Sequence, residues 1–170
     1  MIRTILLVIL LFLPAMAREA AAQRKALTET RGVPAQANLL ITGTVGKKTL
    51  EASGSGSCRH APDASIRGVS ASLWRVQYDG SGDDAVKQLN LTLWRPKDGG
   101  PDQLSLDLET RSGDHRIETG PDEHKGEGAV TILPNGPGGR LELSGKDARG
   151  KPIQITVDCP VFADVEAEGG

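Results

Sequence analysis

Aromatic residues make up only 3% of this 170-residue chain: two Trp, two Phe and one Tyr. A core built on stacked rings is thereby excluded, and apolar burial must come from Leu, Ile, Val and Ala. Positive charge is not in excess, since the formal net charge is −2. That leaves no basic stripe for nucleic acid. No Lys/Arg block stands beside an apolar helix, so no membrane-surface element is indicated. Cysteines number two, Cys58 and Cys159. Neither lies near the start of the chain, which excludes a lipid-anchored precursor. After Leu13 there is no second long apolar run, so no membrane insertion of the mature chain is expected. Catalytic signatures are missing too: there is no G-x-S-x-G, no G-x-G-x-x-G, no Walker A and no H-E-x-x-H. No catalytic residue and no cofactor is therefore assigned.

What is present begins with the first 17 residues. Met1-Ile2-Arg3-Thr4 is a short positive segment, Ile5 to Leu13 is apolar but too short to span a bilayer, and Pro14 breaks it. Ala15-Met16-Ala17 places small residues where a signal peptidase reads them. Residues 1–17 are thus expected to be a signal peptide, with cleavage after residue 22, at Ala20-Ala21-Ala22, as the alternative. A secreted or periplasmic location follows. Residues 18–36 are polar with scattered Ala and carry no apolar stripe, which predicts a flexible leader.

From Ala37 the hydrophobic period is two. Nine strand-like runs are expected at Asn38–Thr44, Lys48–Ser53, Ser72–Tyr78, Val86–Arg95, Gln103–Thr110, His115–Thr119, Gly128–Leu133, Gly139–Ser144 and Ile153–Cys159. Gly- and Pro-rich turns separate them, among them Gly46-Lys47 and Pro134-Asn135-Gly136-Pro137-Gly138. The glycine-rich run Ser53 to Ser57 reads equally as a loop or a strand bulge. Residues 59–70 read as an irregular connection around Pro62. Short strands at this spacing predict an all-β fold, a single antiparallel sandwich over residues 37–162, with a β-barrel as the alternative. Residues 163–170 read as a flexible acidic tail. One domain is what this length accommodates.

Alternation assigns the faces. Leu89, Leu91 and Leu93 share one face, as do Leu104, Leu106 and Leu108, and as do Ile153, Ile155, Val157 and Cys159. The two tryptophans sit in near-identical phrases, Ser72-Leu73-Trp74-Arg75 and Thr92-Leu93-Trp94-Arg95. A common core face predicts Trp74 inward, opposite the Leu91 region, and Trp94 outward near Leu73.

Four sites follow as candidates. Cys58 and Cys159 are expected to pair in an oxidising compartment. A reactive free thiol at Cys58, beside Arg59-His60, is the alternative. Trp94, with Leu73 and Arg75, is the candidate ligand-binding group. The run Asp114 to Glu127 holds His115, Glu118 and His124, a weak metal-ligand set interleaved with Arg116 and Lys125 and matching no metal motif. Asn90-Leu91-Thr92 is a formal glycosylation sequon inside a strand. The expected function is an exported, non-enzymatic binding or interaction domain of the cell envelope or extracellular medium. Its partner and oligomeric state are open. The alternatives are a carbohydrate-binding module using Trp94 and a lipocalin-like carrier of an apolar small molecule.

Overall fold

The computed structural model describes residues 36–66, 68–81, 84–121 and 124–165. The expected signal peptide, most of the leader and the last residues of the tail lie outside them. Eleven strands are formed: β1 (Ala37–Val45), β2 (Lys48–Ile66), β3 (Val69–Asp79), β4 (Val86–Pro96), β5 (Gln103–Thr110), β6 (Gly113–Thr119), β7 (His124–Lys125), β8 (Glu127–Asn135), β9 (Gly138–Lys146), β10 (Pro152–Cys159) and β11 (Ala163–Asp164). No helix occurs among the described residues.

The strands make one continuous sheet in the order β7-β6-β5-β4-β3-β2-β1-β10-β9-β8, with β11 parallel to β2. Every other pairing is antiparallel. Two meanders, β1–β7 and β8–β10, are thus joined through the β1–β10 ladder. The sheet curls into a half-barrel. The all-β, antiparallel expectation holds, and the hydrogen-bonded path runs through a single sheet.

Period-two alternation explains the curl: one face carries the apolar side chains and curves round to bury them. Leu39, Ile41, Leu89, Leu91, Leu93, Leu106, Leu108, Ile117, Leu141, Ile153 and Ile155 are all buried on that concave face. At the seam, strands β6 and β8 approach without forming a ladder among the described residues. Ala148 N donates to Arg116 O across 3.4 Å, and Arg95 Nη2 donates to Val130 O across 3.3 Å.

Strand β2 is longer than expected. It runs through Ser53–Ser57 as strand and continues past Cys58 to Ile66, where an irregular connection was expected. Pro62 does not end it, because the β2–β3 ladder shifts register between Ala61 and Ala64 and absorbs the residues between. Gly54 lies under the Tyr78 ring. A Cβ on Gly56 would stand 2.6 Å from both Leu39 Cδ1 and the Gln77 carbonyl oxygen. Those glycines let a strand pass where a side chain would collide. The tail likewise begins as structure: Ala163 and Asp164 pair with Arg59 and His60.

Candidate functional site

Cys58 on β2 and Cys159 at the end of β10 form a disulfide, with Cα atoms 6.0 Å apart. Both are buried, so the reactive-thiol alternative at Cys58 is overturned. Strands β2 and β10 each pair with β1 but not with each other, and the bridge joins them directly.

Beside the bridge, at the same end of the core, lies an aromatic layer. The His60 ring stacks on Trp74 at 4.5 Å, Phe162 meets His60 edge-on at 6.2 Å, and the Arg95 guanidinium sits 5.5 Å from the Trp74 ring centre. Arg95 also grips Asp102 through two nitrogens. Burial lowers the His60 pKa, against a smaller opposing pull from Asp164.

The two tryptophan phrases pair with each other. Leu73 stands opposite Trp94, and Trp74 opposite Leu93, two residues from the Leu91 region expected. Trp74 packs on the main core and Trp94 faces the other side, as alternation requires. Yet Trp94 is only 6% exposed. Ala71 and Leu73, with Ala61, Ala64 and Val165, enclose it in a small second cluster. Its ring is no open platform, because β2 beyond the disulfide and the chain after β11 cover it. Arg75 lies one row along that outer face, exposed.

The metal candidates do not converge. His115 points into the core, Glu118 faces outward to Ser105 and Arg116, and His124 is exposed on β7. Successive residues of a strand face opposite ways, so positions 115 and 118 on β6 cannot share a ligand. Among the described residues no group of three or more His, Cys, Asp or Glu could hold a metal ion.

His115 instead pairs with Asp147, a residue the sequence does not single out. Its Nδ1 lies 2.9 Å from Asp147 Oδ2, and both side chains are 1% exposed. Burial would raise the Asp147 carboxyl, but hydrogen bonds from His115, from the Lys151 and Arg149 backbone and from the Arg149 side chain outweigh it and hold it at about 2. The ionised carboxylate only accepts, so Nδ1 of the ring carries the proton. A His–Asp pair can orient a general base, but here Nε2 is buried with no hydrogen-bond partner. The pair therefore works as a clasp between the β9–β10 turn and β6.

On the outer face of β2, β3 and β4 lies a groove of about 220 Å³ lined by Gln36, Ser55, Ser57, Arg59, Gln77 and Asn90, with Asp79 and Gln88 at its rim. Ser57, Gln77 and Asn90 stand in one cross-strand row. Gly56 sits beneath them and allows β2 and β3 to approach. A second, larger hollow of about 450 Å³ runs beside the disulfide between Leu133, Pro134, Arg140, Asp158 and Pro160. No protein-family model, curated protein or solved structure matches the chain.

Proposed function

We propose that this chain is an exported, non-enzymatic binding domain of the cell envelope or extracellular medium, and that it takes its ligand on the outer face of β2, β3 and β4. The observation that carries the reading is the row Ser57, Gln77 and Asn90, whose hydroxyl and amide groups line a groove and have no partner elsewhere in the described protein. Uncharged donors and acceptors on a rigid sheet suit a polar, hydroxyl-rich ligand better than an apolar one. The buried disulfide supports an oxidising location. The sealed His115–Asp147 pair supports binding over catalysis, because no substrate atom can reach the free ring nitrogen.

The same reading takes the half-barrel as the barrel alternative, closed at its seam by side chains and single hydrogen bonds. A carbohydrate module working through Trp94 would require Ala61 and Val165 to move off the ring. A lipocalin-like carrier would require displacement of the side chains that fill the concave face.

Calorimetric titration with a panel of soluble neutral and acidic oligosaccharides tests the proposal. The expected result is saturable binding, weakened about tenfold or more in the Gln77→Ala/Asn90→Ala double variant. Binding that the double variant leaves intact, or no binding to any member of the panel, contradicts it.

A further inference from the structure

Arg59 and Arg75 stand directly opposite each other across β2 and β3. Like charges so placed repel, since opposed Cβ atoms lie only about 5 Å apart. Neither has a hydrogen-bonding or ionic partner among the described residues. The other described arginines are all engaged. Arg95 holds Asp102, Arg116 holds Asp107, Arg140 holds Asp158 and Arg149 holds Asp147, and Arg111 is engaged as well. Arg75 pairs across β4 with uncharged Thr92, where an acid would have neutralised it. Arg59 lines the groove, and its Nε is buried without a hydrogen-bond partner. A desolvated donor left unpaired costs stability, and an incoming acceptor would remove that cost.

We infer that Arg59, which lines the groove, with Arg75 opposite it just outside the lining, is the groove's anion-reading end, and that the ligand is an acidic saccharide, a sugar unit carrying one carboxylate. This rests on the outer-face reading above. The order of residues along the groove sets the class. The Arg59 guanidinium comes first, with Arg75 across the ladder beside it, suited to a carboxylate. Ser57, Gln77 and Asn90 follow, suited to hydroxyls. Asp79 closes the far rim, its Oδ1 accepting from Gln88 Nε2 at 3.3 Å. Beyond Asn90 the row continues to Asp107, which Arg116 pairs, and Glu109 stands opposite Gln88. One charge on a polyol body is accepted at one end and hydrogen-bonded along the rest, while the Asp79 carboxylate in the lining disfavours a second anionic group at the other end.

The test uses the disulfide-intact protein and three probes: a glucuronate-terminated disaccharide, its carboxyl-reduced form and inorganic phosphate. The acidic disaccharide is expected to bind at least about tenfold tighter than the reduced one, and Arg59→Gln or Arg75→Gln is expected to abolish that preference. Both variants exchange outward-facing side chains, and unchanged unfolding midpoints confirm that they fold. Equal binding of the two disaccharides, lost in Gln77→Ala, overturns the charge assignment and leaves the groove reading standing. Binding of neither overturns both. Phosphate that competes as well as the acidic disaccharide shows a bare anion site and overturns the saccharide.

Discussion

Asp147 accepts a hydrogen bond from His115 across 2.9 Å in the interior of the protein, and that contact ties the β9–β10 turn to β6. Around it, Arg149 reaches the Asp114 carbonyl, and the Arg149 and Lys151 backbone N–H groups each donate to Asp147 Oδ1 at 2.9 Å. The clasp holds together regions of the sheet that no ladder joins among the described residues.

Acid should open it. The Asp147 carboxyl titrates at about 2 in the folded chain against 3.8 in its unperturbed state. A depressed folded value means the stabilisation is complete above 3.8 and is lost as pH falls through about 2; it amounts to roughly 2 kcal/mol. Urea unfolding between pH 5 and pH 2 is expected to show that loss in the parent and not in Asp147→Asn. The variant itself should be less stable at neutral pH by roughly 3 kcal/mol, because it leaves a buried network broken. A parallel pH dependence in both proteins would refute the assignment.

The disulfide spans a sequence separation of 101 residues. On the chain-entropy model, a loop of about that length contributes roughly 4–5 kcal/mol. The double Cys58→Ala/Cys159→Ala variant should unfold at lower denaturant by that amount, and unfolding the unreduced parent should release no thiol. Two reactive thiols in the unfolded, unreduced parent would contradict the bridge.

Trp94 should behave as a packing residue. Trp94→Ala removes a ring enclosed by Ala71, Leu73 and Val165 and is expected to destabilise by roughly 3 kcal/mol. Binding to the outer groove, measured well below the unfolding midpoint, should stay within about twofold of the parent, since Trp94 does not line it. A variant of unchanged stability that has lost binding would restore Trp94 as a ligand contact.

Gly56 is the backbone position most tightly tied to the groove. Its missing Cβ would meet a backbone oxygen at 2.6 Å, which cannot swing aside, whereas one on Gly54 would meet the Tyr78 ring at 3.3 Å, a tight contact relieved by a shift of the ring. Gly56→Ala should cost roughly 1–3 kcal/mol and Gly54→Ala less, by equilibrium unfolding.

Strand positions and faces were legible in the sequence because alternation is strict there. The Leu89, Leu91, Leu93 face and the opposed placement of Trp74 and Trp94 follow from residue parity alone. Burial of Trp94 was not legible, because its cover comes from Ala61 and Val165, small residues distant in the chain whose contact only the β2–β3 bulge and β11 create. His115 stands in the sequence as one of a weak metal-ligand set, and its burial was not legible because its neighbours Asp114 and Arg116 are charged. Its partner lies 32 positions away, in the turn after β9, where nothing local marks Asp147 as buried. The opposition of Arg59 and Arg75 was hidden for a similar reason. The segment after Cys58, with Pro62, suggests a loop, and only the bulge keeps the strand going.

The account turns on the outer face of β2–β4 being the binding surface. Amide chemical-shift mapping of the disulfide-intact protein, titrated with the glucuronate-terminated disaccharide, tests this most directly. Shifts concentrated on Ser57, Arg59, Arg75, Gln77 and Asn90 are predicted. Shifts centred instead on Leu133, Asn135 and Arg140 beside the disulfide, or none at saturating ligand, would contradict it.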